Sequence, residues 1–171
     1  GDSFVVVDAD SLGLRLSPDE AKDLAKLGEK ITQAANEQLN FYHPTYSDWD
    51  HFSFCHFCGP LLQDKNGKKF KSAVAIKPGK IDRSPTGTAL SAKMAILHKR
   101  RKIKIGELLT ASSIIDSEFT GQILGLTKVG SVEAILPQIS GRAWITGTHQ
   151  HMLDPADPWP GGYRISDTWG I

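Results

Sequence analysis

Asp82-Arg83-Ser84-Pro85-Thr86-Gly87-Thr88 brings an acid, three hydroxyls and a glycine turn together at the start of an apolar run, residues 89–98. If that run is a helix, its first four N–H groups lack intrahelical partners, and the macrodipole adds partial positive charge at the same place. A carboxylate or phosphate is a natural occupant there. Thr86 then stands where a side chain would face the ligand. Asp82 and Ser84 are also residue types that simply cap helices, so the segment has two readings, a ligand site and a cap.

Three other groups could carry chemistry. Cys55 and Cys58 have the spacing of a redox pair or half a zinc site, but a structural zinc needs a second ligand pair, and His51 and His56 lie too close in sequence to supply one. Two thiols beside a partly buried aromatic strand is the preferred reading. His149 and His151 could hold a metal from one strand face, yet no third ligand is well placed, and they read as polar strand-end residues. Trp144, Trp159 and Trp169 could roof a pocket or anchor the tail. No metal and no cofactor is implied.

The elements that must position these residues follow from periodicity. Residues 4–8 form a β-branched run, expected to be a strand buried on both sides. Ser17-Pro18-Asp19-Glu20 has the pattern of a capping box with Pro at the first helical position. Leu24, Leu27, Ile31, Ala34, Ala35 and Leu39 then give one apolar face to a helix reaching about Asn40. Residues 41–57 show no clear period. Asp64-Lys65-Asn66-Gly67 predicts a hairpin turned on Asn-Gly, with a return strand over 72–76 and a turn at 77–80. Residues 89–98 are apolar around most of their circumference, as in an enclosed helix, and Lys99-Arg100-Arg101-Lys102 suits its solvated C-terminal end. Strands are expected over 103–105, 119–128, 132–136 and 142–146, with a turn at Val129-Gly130-Ser131. The Pro- and Gly-rich stretch 154–162 is too broken for regular structure. The pattern is α+β, without the alternating rhythm of a doubly wound sheet.

A chain of 171 residues with 40% hydrophobic content suits one domain, residues 1–171. Twenty basic residues against nineteen acidic leave a net charge of +1, which offers no strong field to nucleic acid or an anionic membrane. A small-molecule partner fits better. No stretch approaches the roughly 18 apolar residues of a membrane span, and the N-terminus lacks a signal-peptide pattern, so a cytoplasmic protein is expected. The start at Gly1 points to processing or to a fragment of something longer.

Residues 81–88, then Ser91-Ala92-Lys93-Met94-Ala95 and Leu97-His98, resemble the second-half motif of the proline racemase family. Gly1-Asp2-Ser3-Phe4, Val7-Asp8-Ala9, Gly106-Glu107, Phe119-Thr120-Gly121 and residues 141–147 support the match along essentially the whole chain. The resemblance implies one of two diaminopimelate-epimerase-like halves, a curved, mostly antiparallel sheet wrapped around a central helix, with the active site between the halves. In the racemases each half gives one cysteine at its helix N-terminus. Here Thr86 stands in that place. Racemisation needs an acid and a base on opposite faces, both able to exchange roles near neutral pH, and a threonine hydroxyl without an activating base cannot do so.

Threonine at this position resembles the trans-3-hydroxy-L-proline dehydratases. There the cysteine of the other half removes the α-proton, the 3-hydroxyl leaves, and Δ1-pyrroline-2-carboxylate forms. The resemblance makes Thr86 the catalytic-site residue, with Asp82 meeting the ring nitrogen and the Gly87 and Thr88 N–H groups holding the carboxylate. The expected partners are an imino acid, hydroxyproline or proline, and the missing N-terminal half, with a homodimer allowed. A proline racemase or hydroxyproline 2-epimerase, and a non-catalytic imino-acid-binding half, are the alternatives. The family's Cys-Gly-His motif is not in this sequence, and Cys58-Gly59-Pro60 does not match it, so the chain alone should lack the catalytic base.

Overall fold

The β-branched run forms β1 (Phe4–Asp8) in a computed structural model that describes residues 1–65 and 67–165. It is half-buried rather than enclosed on both faces, because it lies at the end of the strand order, where the helices cover it only in part. After a turn the chain enters a single 3-10 turn, Pro18–Glu20, and then α1 (Ala21–Gln38). The expected capping box does not close. The Ser17 hydroxyl is buried without a partner, and Glu20 turns back to Arg15, whose N and Nε each lie 2.9 Å from its carboxylate. The Arg15 backbone N–H, then its guanidinium, hold the Glu20 carboxyl below the usual range. A charged donor outcompetes the backbone amide that Glu20 would otherwise have reached. The helix also stops at Gln38, since Leu39 is extended.

The segment without periodicity is irregular until β2 (Phe54–Cys58), which pairs with β1 in parallel. Next come β3 (Leu62–Asp64) and the long β4 (Gly67–Ile76), followed by the short β5 (Lys80–Ile81). Asp64 pairs with Gly67, so Gly67, at φ +127°, begins the returning strand instead of sitting within the turn. Asn66 is outside the described residues. Strand β4 joins the two parts of the sheet. Its residues 72–75 pair with β2, and residues 68–71 pair in parallel with β6 (Leu108–Ser112). The antiparallel pair β7 (Glu118–Val129) and β8 (Val132–Gly141) completes the order β1-β2-β4-β6-β7-β8. Gly130, at φ +58°, sits in the expected turn.

Two expected strands are absent among the described residues. At 103–105 the backbone forms a turn, in which the Ile103 carbonyl lies 3.2 Å from the His98 ring and the Lys104 N–H donates to the Glu107 carboxylate. Residues 142–146 follow the last paired residue of β8 and have no neighbouring strand, so their β-branched and aromatic character has nothing to pair with.

The sheet's two faces carry separate cores. Cys55, Phe57, Ala73 and Ala75 pack with Leu24 of α1 on one face. On the other, Cys58, Phe70, Leu109 and Ile123 surround Leu90, Met94 and Leu97 of α2 (Gly87–Lys99). The helix expected to be enclosed instead packs one face on the sheet through Ala89, Leu90, Met94 and Leu97, and leaves Ala92, Ala95 and Ile96 half-buried. The Lys99–Lys102 run is exposed, as expected for a solvated helix end.

Candidate functional site

The loop between β5 and α2 is built on Asp82, whose N–H donates to the Val74 carbonyl and so fixes it against β4. Its carboxylate accepts from the Ser84 N–H at 3.0 Å, the Ser84 hydroxyl at 3.2 Å and the Thr86 hydroxyl at 2.5 Å. The Ser84 oxygen in turn accepts from the Thr86 N–H at 3.1 Å. Two of the motif's three hydroxyls, those of Ser84 and Thr86, thus converge on one carboxylate. A carboxylate offers about four acceptor positions, so one remains, on Oδ1.

Thr86 is the N-cap residue of α2, yet no side chain caps the helix. Its hydroxyl goes to Asp82, which decides against a plain cap. Its backbone, at φ +61° and ψ 105°, is a conformation that β-branched residues rarely adopt. The helix start at Gly87 and Thr88 therefore presents backbone donors that no side chain has taken. Thr88 directs its hydroxyl to the Asp2 carboxylate, 3.2 Å away, and Gly87 lies near Ile139 of β8. The four expected site residues are together at one end of α2.

Other candidates are elsewhere. Cys55 and Cys58 are buried and unlinked, and they belong to different cores, one on each face of the sheet. Three residues apart on a strand, they point to opposite sides. They cannot share a metal or readily close a disulfide. Burial pushes the thiols up to about 12 and about 11 respectively, so neither supplies a thiolate near neutral pH. His149 and His151 stack at 6.4 Å on an exposed segment. Among the described residues no group of three or more His, Cys, Asp or Glu is placed to hold a metal. Trp144 and Trp159 are exposed rather than roofing the α2 site, and Trp169 lies outside the described residues.

A buried contact beneath the Thr86 turn joins His56 and Ser72 to Pro85. His56 Nε2 lies 2.8 Å from the Ser72 hydroxyl, which donates to the Pro85 carbonyl at 3.4 Å. His56 and Ser72 are fully buried, and Pro85 is buried with them. Burial first, and the Lys93 ammonium second, press the His56 ring down to about 3. The return strand expected over 72–76 was a signal for Ser72 alone, and His56 had none, because it lies in the stretch without a clear period.

A curved α+β sheet carries α2, and an acid and a hydroxyl meet at the helix start, where no side chain caps it. A family model described as proline racemase matches residues 1–164. A hydroxyproline epimerase from Agrobacterium vitis, solved with trans-4-hydroxy-L-proline bound, is 35% identical and superposes with a TM-score of 0.76 over 98% of this chain. A probable proline racemase from Agrobacterium radiobacter K84, solved with carbonate bound, is 32% identical with a TM-score of 0.75, also over 98% of the chain. The chain belongs to the proline racemase family, and its fold is of the diaminopimelate-epimerase type. It spans 47% and 48% of those two solved chains, about half of each.

Proposed function

We propose that this chain is the second half of a cofactor-independent lyase that dehydrates trans-3-hydroxy-L-proline to Δ1-pyrroline-2-carboxylate. The observation that carries the reading is the commitment of the Thr86 hydroxyl to Asp82 at the helix start where a two-thiol racemase needs a cysteine. The chain's two thiols are buried in β2 and protonated near neutral pH, so neither can replace it.

Each residue then has a defined part. The Gly87 and Thr88 N–H groups hold the substrate carboxylate, which the helix dipole favours. The remaining Oδ1 position of Asp82 accepts from the cationic ring nitrogen in a charge-assisted bond. These contacts fix the α-carbon and stabilise the negative charge that develops when its proton leaves. A cysteine thiolate of the companion half takes that proton. The carbon electron pair forms the 2,3 double bond as the C–O bond breaks, the departing hydroxide takes the proton held by that cysteine and leaves as water, and the enamine tautomerises to the cyclic imine. Thr86 donates its own proton to Asp82, so its oxygen is left to accept from the substrate. It orients the ring and does not return a proton to the α-carbon.

The second reading is a hydroxyproline epimerase, favoured by the Agrobacterium vitis relative. A non-catalytic half that only binds an imino acid is a third. Calorimetry with pyrrole-2-carboxylate, a planar mimic of the deprotonated ring, tests the site itself. Binding that is lost in Asp82→Ala supports a retained half-site. Absence of binding to the chain means that the site forms only with the companion half, whose addition must then restore it, and failure to restore it sinks the assignment of these residues.

A further inference from the structure

We propose that Ser72 and His56 are positioning residues, a buried relay from β4 and β2 that holds the Pro85–Thr86 peptide and thereby sets the Thr86 hydroxyl at the binding end of α2. Its functional consequence rests on the reading of that end as the substrate site, but its geometry does not.

The direction of the relay follows from counting hydrogens. The Ser72 hydroxyl has one, and its oxygen sits 2.8 Å from His56 Nε2 and 3.4 Å from the Pro85 carbonyl. If that hydrogen went to His56, the ring would carry its own proton on Nδ1, which is buried without a partner. The Pro85 carbonyl would also lose its donor. If instead His56 Nε2–H donates to Ser72, with the Cys58 sulfur 3.4 Å away as its second neighbour, the serine hydrogen goes to Pro85, the Cys58 thiol donates to the His56 carbonyl at 4.0 Å, and a bare Nδ1 lone pair is what stays unpaired. Orphaned buried N–H groups are rarer in proteins than under-used acceptors, so the second arrangement prevails. The ring stays neutral because burial holds its ionisation at about 3, and the relay keeps one direction through the neutral range.

The clamped peptide is the one that needs clamping. Thr86 has a positive φ of 61°, and strained conformations persist only where surroundings over-determine them. Two of the restraints on Thr86, the Ser84 oxygen on its N–H and the Asp82 carboxylate on its hydroxyl, come from the turn itself. Asp82 is tied to Val74, and the Arg83 carbonyl to the Ser117 hydroxyl. Ser72 ties the peptide immediately before Thr86 to the sheet.

The test compares Ser72→Ala with Ile123→Val, a change in the core on the same face of the sheet, on a strand that carries none of these groups. The Thr86 and Asp82 amide resonances should move in Ser72→Ala and stay in place in Ile123→Val, although both variants melt earlier than the unaltered chain. Affinity for pyrrole-2-carboxylate should fall roughly twofold in Ser72→Ala alone, the low end for one hydrogen bond, as suits a contact of 3.4 Å. The ring-nitrogen spectrum of His56 in the unaltered chain should show the Nε2–H tautomer, and this decides the matter even if Ser72→Ala does not fold. An Nδ1–H tautomer, or Thr86 resonances no more displaced in Ser72→Ala than in Ile123→Val, overturns the relay. If Thr86 moves as expected while the unaltered chain, paired with its companion half, binds no pyrrole-2-carboxylate, the relay stands and the substrate reading fails.

Discussion

Asp82 accepts from Ser84 twice and from Thr86 once, so it is both the keystone of the turn and the proposed partner of a cationic nitrogen. Asp82→Ala should therefore destabilise the chain by about 2 kcal/mol, in the range for losing hydrogen bonds to a charged acceptor, as read from urea unfolding. Thr86→Ser, which keeps the hydroxyl and removes the β-branch at positive φ, should be neutral or stabilising by up to about 1 kcal/mol. His56 adds a pH dependence. Its ionisation drops from an ordinary 6.5 to about 3 on folding, so below 6.5 the unfolded chain binds a proton that the folded chain refuses. Stability should fall as pH drops through that window, by up to about 1.4 kcal/mol per unit, and His56→Gln should flatten the curve there. The Thr86 turn was legible because its residues are contiguous. The His56–Ser72 contact was not, because it joins positions 16 apart whose pairing depends on the register of β2 with β4.

At the scale of elements, close packing of both helices on the sheet depends on two glycines. A Cβ on Gly28 of α1 would collide with the Ala75 Cβ of β4, whereas one on Gly121 of β7 would meet the Met94 sulfur and methyl at 2.8 and 2.9 Å. The methionine end can turn aside, and the Ala75 Cβ cannot. Gly28→Ala should therefore lower the melting temperature more than Gly121→Ala, whose overpacking cost is about 1–3 kcal/mol. The apolar period revealed α1 and α2 in the sequence because helical contacts are local. Strands were harder to read. Residues 119–128 and 132–136 announced the β7–β8 hairpin through their turn, but the β-branched residues at 103–105 and 142–146 looked the same without having partners. Pairing is a property of the neighbour as much as of the segment. The Ser17 box failed for a related reason, since Arg15 competed for Glu20.

As a whole molecule the chain leaves much apolar surface uncovered. Residues 142–165 contain no helix or strand and expose Trp144, Ile145, Met152, Leu153, Trp159 and Tyr163. No helix among the described residues is long and apolar enough to cross a membrane. On the proposed reading this surface is covered by the companion half that the two longer relatives carry, and tryptophan emission should shift to shorter wavelength when the halves are joined, as Trp144 and Trp159 leave water. The most direct test of the central claim joins this chain to its companion half and supplies trans-3-hydroxy-L-proline in deuterium oxide. The account predicts Δ1-pyrroline-2-carboxylate as the product, abolished by Asp82→Ala. Recovery of hydroxyproline deuterated at the α-carbon, with its 3-hydroxyl retained and no pyrroline carboxylate formed, would contradict it and make Thr86 part of an epimerase.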